Sequence, residues 1–585
     1  MFDSKKKSLF TTPTTTSGEQ STMVTTNPFL LSALKNTSRT NEGGNGALKY
    51  TTSGSDFVDQ FAKVTEYRQP RNYSEISEDM SLLWDQNPRL TISFVIYLRL
   101  ITRTVKFPDG TKTSTTQRGQ GLKHESIMRM IWLAVNHPEE FWNNVSLFIS
   151  AGSWKDIITM LSYDLQYNGW EGRVLNWEDF TDIILAGLEN PETSELVKKY
   201  LPQIKSRSKC KTVAAQADTI IGKYLCSVIF ADIEDKIESY AKYRKLKVSG
   251  TAHVWQQLIS QGRFMEINFD TVHGRALAQM VSGQFLKNNG LEETFEKWMA
   301  SKPIAKYTGY VYELMQPVKS GYSNNVLKSY QEDTINKQFL GLIETAKKGM
   351  IGENPFITVV DTSSSMAGEN PFITVVDTSS SMTGLVPGTK ISAYDIAKSM
   401  ALYFSYLLKG PFNNHWMEFN NKCILKKWIG DTPVTKLQND HSEAYGSTDF
   451  EGVARTFVEI RQSGVKEEDF PGGILCLSDG CFNYTHSNEG NYKSFKKILL
   501  RGGFSKEFVD KFKIVLWDIP NGYYADRGAK FEEFADCPGM FHISGLDGSV
   551  VAFLMGTEYN PTVPKNSDEL FLAAMNQEIM DRIVI

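Results

Sequence analysis

Phe372-Ile-Thr-Val-Val376, followed at once by Asp377-Thr-Ser379-Ser-Ser381-Met382, is the stretch on which the reading of this chain turns. Five consecutive apolar or β-branched residues predict a strand buried on both faces. An aspartate and two serines at alternating positions leave the end of that strand, so three side-chain oxygens aim into one crevice. Hard cations take oxygen ligands, and Mg²⁺ takes six in near-octahedral array while keeping several waters. Two later segments add to the set: Gly446-Ser-Thr448-Asp449 in a loop before a helix, and Leu477-Ser-Asp479-Gly480 at the end of another apolar run. Asp377, Ser379, Ser381, Thr448 and Asp479 are thus candidate ligands for Mg²⁺ or Mn²⁺. The structural alternative is that Ser379 and Ser381 cap the following helix and Asp479 is a turn residue.

Working outward, short apolar runs at Phe372–Val376, Trp416–Phe419, Ile474–Leu477, Ile514–Trp517 and Phe541–Ile543 alternate with amphipathic segments at 391–409, 450–463, 493–500 and 505–511. Strands alternating with helices predict a mostly parallel sheet covered on both faces, over residues 346–560. In such doubly wound α/β domains the ligand site lies beyond the carboxyl ends of the strands. Upstream, over 51–345, the apolar spacing is helical. Ile127, Met130, Ile131 and Ala134 share one face of a helix that stops before Pro138; Phe141, Val145, Phe148 and Ile149 mark the next, and Ser153 with Asp156 forms a capping box for a third. The expectation is an α-solenoid-like helical array joined to an α/β domain. Residues 1–50 are rich in Ser, Thr, Asn and Gly and read as a flexible tail, and 561–585 read as a C-terminal helix.

Residues 352–366, GENPFITVVDTSSSM, recur unchanged at 368–382, so the strand and the oxygen-rich loop are written twice. Only one copy can fill the central strand. The second leads through Thr383–Lys390 into the helix beginning at Ile391, which assigns Asp377, Ser379 and Ser381 to the ion and leaves Asp361, Ser363 and Ser365 as spare ligands in an inserted loop or added edge strand. In the alternative register the first copy fills the strand and the second bulges out.

Of the 585 residues, 41% are hydrophobic and 12% aromatic, enough to bury several cores. Sixty-three basic against 67 acidic residues leave a net charge of −4, so any attraction for nucleic acid or anionic membrane must be local. Cys210, Cys226, Cys423, Cys476, Cys481 and Cys537 contain no CxxC pair, which speaks against a zinc knuckle, a redox motif or a disulfide framework and for a reducing compartment. The start, MFDSKKKSLF, lacks the apolar segment of a signal peptide, and the longest apolar run, Leu90–Ile101, is broken by Arg99. A cytoplasmic, non-secreted protein without a membrane partner is expected, with the sequons at Asn72, Asn144 and Asn483 unused.

Asp377, Ser379, Ser381, Thr448 and Asp479 resemble the five residues of the metal-ion-dependent adhesion site in von Willebrand factor A domains. The resemblance extends further. EGGNGALKYTTSGSDFVDQF at 42–61, YRKLKVSG at 243–250, INFDTVHGRALAQM at 267–280 and LWDIP at 516–520 together resemble a family found in giant viruses, plants and other lineages, in its mimivirus-type form, that pairs a helical region with an A-type domain. Its architecture is similar to the Ro autoantigen (TROVE) proteins, in which a ring of helical repeats closed by an A-type domain binds RNA. The resemblance implies an ion that completes its shell with a partner's carboxylate, and a location in host cytoplasm or in a virion.

Two basic clusters, Lys205, Arg207, Lys209 and Lys211, and Lys242, Arg244, Lys245 and Lys247 with Tyr240 and Tyr243 nearby, are candidates for phosphate contact and base stacking. The commoner meaning of such runs is a solvated face. No HExxH, nucleophile elbow or dinucleotide fingerprint appears. Gly384-Leu-Val-Pro-Gly388-Thr-Lys390 departs from the phosphate-loop spacing, and His486 stands alone after Asp479. The sequence therefore points away from an enzyme and shows no small-molecule substrate. It leads to a scaffold making metal-dependent protein contacts, with a Ro-like RNA-binding protein and a structural or packaged virion component as alternatives.

Overall fold

In a computed structural model, the described residues are 40–42, 48–50, 52–63, 71–249, 254–272, 274–307, 309–318, 327–350, 372–386, 389–407, 412–483, 490–519, 538–544, 550–554 and 563–585. They fall into two compact units: 70–271 with 577–585, and 21–69 with 272–576. Helices 272–350 therefore group with the sheet, so the division falls at 271 instead of the expected 345.

The first unit is helical. Leu90–Ile101, too short and too interrupted to span a bilayer, forms the helix Pro88–Arg99, started by Asn87, whose side chain accepts from Leu90 N. Its apolar residues Ile92, Phe94, Val95, Ile96 and Leu98 are buried, which makes it a core helix. Among the described residues no helix is long and apolar enough to cross a membrane. The helices expected around 127–134 and 141–149 are Lys123–Asn136 and Pro138–Ala151, and Ser153 and Asp156 form the anticipated capping box at the head of Trp154–Asn168.

The last residues of the chain belong to this unit. The C-terminal helix expected over 561–585 is instead Ser567–Met575, followed by a 3-10 turn at Glu578–Arg582. Beyond Asn576, Ile579, Met580 and Ile583 are buried. Arg89 donates to Met580 O and Ile583 O, both at 2.9 Å, while Asn144 and Val584 exchange two hydrogen bonds of 2.6 and 2.9 Å. Burial of three apolar side chains contributes at least about 3 kcal/mol. Deleting 577–585 is accordingly expected to speed amide exchange in helices Pro88–Arg99 and Pro138–Ala151, measured by mass spectrometry; unchanged protection would refute this anchoring role.

The second unit holds a six-stranded sheet: β1 Ile373–Asp377, β2 His415–Phe419, β3 Cys423–Lys427, β4 Gly473–Ser478, β5 Lys513–Asp518 and β6 Met540–Ser544. The order is β3-β2-β1-β4-β5-β6, parallel throughout except for β3, which pairs antiparallel with β2. β1 and β4 are buried along their whole length. Ile373, Val375, Ile474 and Cys476 face Val453, Phe457 and Phe495 from the helices Phe450–Gln462 and Asn491–Arg501. On the other face Trp517 meets Phe404 of the helix Ala393–Leu407, ring centroids 5.8 Å apart. That helix also receives Phe339 of the helix Ser329–Met350, whose ring lies 6.3 Å from Tyr403 and 5.3 Å from Tyr406.

Three expectations need correction. β3 was missed, because its alternation is broken by Lys426 and Lys427 and only one strand flanks it. The helix Pro433–Gln438 was missed for its brevity. Within the stretch read as a flexible tail, Thr40–Glu42 pairs antiparallel with Leu48–Tyr50, a pairing that three-residue strands leave unwritten in local pattern. The first repeat copy, with Asp361, Ser363 and Ser365, lies outside the described residues; the strand between β2 and β4 is the second copy.

Candidate functional site

The strand order reverses between β1 and β4: the chain leaves β1 toward β2 on one side, and β4 begins the run on the other. That reversal opens a crevice at the carboxyl ends of the two strands, where open α/β sheets bind ligands. Val376 pairs with Leu477, so Asp377 and Ser478 end their strands side by side.

Asp377 has no solvent exposure. Its Oδ1 accepts from Ser379 N at 2.8 Å and its Oδ2 from Ser478 Oγ at 2.6 Å. Burial, and after it the negative charge of Asp479, push this carboxyl up to about 7, against the hydrogen bonds from Ser478 and Ser379 that favour the charged form. Ser379 Oγ and Ser381 Oγ stand 3.0 Å apart at the head of a 3-10 turn, Ser380–Thr383, for which Ser379 is the N-cap residue. Asp479 Oδ1 accepts from Cys481 N at 3.1 Å in the turn after β4.

The loop that carries Thr448 is laid against the β1 turn by backbone bonds. Tyr445 N donates to Thr378 O at 2.7 Å and Ser380 N to Gly446 O at 3.1 Å. Gly446 sits at φ +81, and a Cβ there would come within 2.9 Å of the Asn421 amide, so no other residue fits without displacement. Asn483 holds Thr448 from the other side, accepting from its N–H at 3.2 Å and donating its own N–H to Thr448 O at 2.9 Å. Thr448 itself is fully buried, yet its Oγ1 has no hydrogen-bond partner. Buried hydroxyls are nearly always paired, and leaving one unmade costs roughly 1–3 kcal/mol.

Behind the loop, Lys398 of the helix Ala393–Leu407 reaches Asp440 Oδ2 at 2.6 Å, both side chains almost fully buried. Burial would raise the Asp440 carboxyl, but Lys398 outweighs it and holds the group below its usual range. Tyr394 Oη donates to Ser442 O at 2.6 Å. The segment leading into Gly446–Thr448 is therefore fixed from the helix side as well.

All five sequence-chosen residues thus sit on the three segments that meet at one sheet edge. Ser478, Asn420, Asn421 and Asn483, which organise them, were not singled out. Ser478 stood inside the quoted Leu477-Ser-Asp479-Gly480, and Asn420-Asn421 directly follow the run Trp416–Phe419. His486 lies outside the described residues. Among the described residues no three His, Cys, Asp or Glu side chains are grouped to hold an ion, so any shell here would draw on two carboxylates and three hydroxyls.

The basic clusters are placed differently. Lys209 and Lys211 are exposed and Lys205 half-buried, while the side chain of Arg207 is outside the described set. On the helix Lys236–Ser249, Lys242 pairs with Glu238 at 2.9 Å, and Arg244 and Lys245 are exposed. Lys247 Nζ donates to Lys199 O at 3.0 Å and Leu201 O at 2.5 Å, spending its ammonium on the end of the helix Ser194–Tyr200. Tyr243 is fully buried, its Oη donating to Pro202 O at 3.1 Å, so it is a core residue and offers no face for a base.

Set beside known proteins, the chain matches no protein-family model and no curated protein.

Proposed function

We propose that the sheet unit is a von Willebrand factor A-type module that binds a partner protein through one divalent cation, Mg²⁺ or Mn²⁺, held by Asp377, Ser379, Ser381, Thr448 and Asp479, without transforming what it binds. The observation that supports this reading is the buried, partnerless Thr448 Oγ1, on the loop that is hydrogen-bonded to the turn after β1. The donor set suits the ion. Two carboxylates that repel each other and three neutral hydroxyls match a small hard cation and keep the net charge low. When bound, the ion neutralises the carboxylates and offers a Lewis-acidic position to an oxygen ligand from outside, the partner's carboxylate. Asp377 and Asp479 supply the charge, Ser379 and Ser381 the neutral oxygens, and Ser478 and Asn483 hold the shell in place. Exposed Leu385 and Tyr445, the first just past the β1 turn and the second bonded to it, give the crevice an apolar rim of the kind protein interfaces use.

Mn²⁺ titrated into the full chain, followed by water-proton relaxation, tests the reading. One site is expected, lost in Asp377→Ala and weakened in Thr448→Ala, with added glutarate displacing bound water from the ion. Absence of a saturable Mn²⁺ site in the wild type would overturn it.

A further inference from the structure

A second site lies in the same unit but among the helices Gly274–Ser282, Val311–Met315 and Ser329–Met350. They enclose a partly open cavity of about 690 Å³, within the range of small-molecule sites, ~300–1,000 Å³. Its lining is unusual in one respect: five of the residues are glutamines, Gln279, Gln284, Gln316, Gln331 and Gln338.

Gln338, one of the lining residues, has no solvent exposure. Its Nε2 donates to Gly274 O at 3.2 Å, and its Oε1 has no partner. Flipping the amide does not help, because Oε1 would then face the Gly274 carbonyl; the acceptor is committed to the unpaired position by the backbone. The polar side chains beside it are turned to other partners. The Thr334 hydroxyl goes to Tyr330 O at 2.6 Å, and Gln331 Nε2 goes to Val281 O at 3.0 Å. A buried acceptor left open beside a cavity calls for a donor from a molecule inside it.

The class of molecule follows from the rest of the wall. Arg275 and Glu313, joined at 2.7 Å, are the only charged residues of the lining among the described residues, and they cancel. A charged ligand would therefore gain nothing. Primary amides carry a donor and an acceptor side by side, which matches a hydroxyl that is both at once, and several amides around one space match several hydroxyls. Val281, Leu314 and Ile335 provide apolar surface for the C–H faces of such a ligand.

We infer that this cavity binds a neutral carbohydrate of mono- or disaccharide size, with one hydroxyl donating to Gln338 Oε1. The site is separate from the cation crevice and independent of it.

The full chain is titrated with D-glucose, D-mannose, D-galactose, N-acetyl-D-glucosamine and maltose, followed by saturation-transfer NMR and calorimetry. At least one sugar is expected to bind, with affinity falling about tenfold or more in Gln338→Leu, the loss expected when one buried hydrogen bond is removed. Ala278→Trp, a large side chain at a lining position on a different helix from Gln338, should abolish binding while the melting temperature holds. Asp377→Ala should leave sugar binding unchanged. Failure of all five sugars to bind, or binding undiminished in both cavity variants, overturns the inference.

Discussion

Saturating Mg²⁺ will raise the melting temperature of the sheet unit, and Asp377→Ala will erase the rise. An ion that binds only the folded state stabilises it by about 2.7 kcal/mol when its free concentration is a hundred times Kd. For a unit of about 350 residues that corresponds to roughly 3–4 °C. The increment arises from groups that are costly without the ion: a buried Asp377 facing the charge of Asp479, and an unpaired Thr448 hydroxyl. Removing Asp377 takes away a strained carboxylate along with its bonds to Ser379 N and Ser478 Oγ, so the metal-free protein should melt within a few degrees of wild type. Asp361→Ala, in the first repeat copy, should leave the Mg²⁺ increment intact. Scanning calorimetry in Mg²⁺ and in EDTA reads all three proteins; an equal rise in Asp377→Ala would place the ion elsewhere, and a loss in Asp361→Ala would transfer the role to the first copy.

The other large effect is expected in the helical unit, from Arg129→Met. Arg129 is wholly buried, and its guanidinium lies 3.0 Å from Glu125 Oε1 and 3.8 Å from Asp79 Oδ2. Arg71 completes the group, 2.6 Å from Asp79 and 2.9 Å from Glu125. Two cations and two carboxylates close on each other between helices Tyr73–Gln86 and Lys123–Asn136, so each charge is tolerable only while the others remain. Deleting one member of such a buried set costs about 3–5 kcal/mol, because the remaining charges stay desolvated. Arg129→Met combined with Glu125→Gln should recover part of that loss, a coupling that urea titration at neutral pH will measure. The pH dependence has a definite sign. Burial raises the Glu125 carboxyl, but Arg129 and Arg71 outweigh it and hold the group below its ordinary value. Its contribution is thus complete above the unfolded pKa and is lost as pH falls through the lower, folded one. Wild type should keep this increment down to the acid side of the usual carboxylate range, and Arg129→Met should lose its acid resistance earlier. A loss below about 1 kcal/mol for the single variant would mean that water reaches the cluster.

Features set by near neighbours in the chain are legible in the sequence. The run Phe372–Val376 became β1 with a one-residue shift, the other four apolar runs became β2, β4, β5 and β6, and the capping box at Ser153 and Asp156 formed as spaced. These features are set by neighbours a few residues apart, through side-chain periodicity and cap chemistry. Even the five oxygen-bearing residues were accessible, since each stands at a strand end or helix start that its own segment declares.

Other properties depended on partners distant in sequence. The Ser478 hydroxyl closes on Asp377 across 101 residues, Tyr445 and Gly446 are tied to the β1 turn, and only that assembly leaves Thr448 Oγ1 without a partner. Nothing near Lys247 or Tyr243 reveals that one caps a helix end and the other fills the core, so a run that reads as a basic face is partly structural. The same holds for residues 577–585, which join the helical unit because Arg89 and Asn144 meet their backbone. By itself the sequence determined the elements, their order and the oxygen-rich turns, because those follow from short-range periodicity and capping. Which turns meet, which polar atoms are left open, and which cations are consumed inside the fold were decided by tertiary structure, because burial and long-range hydrogen bonding depend on residues that no local pattern names.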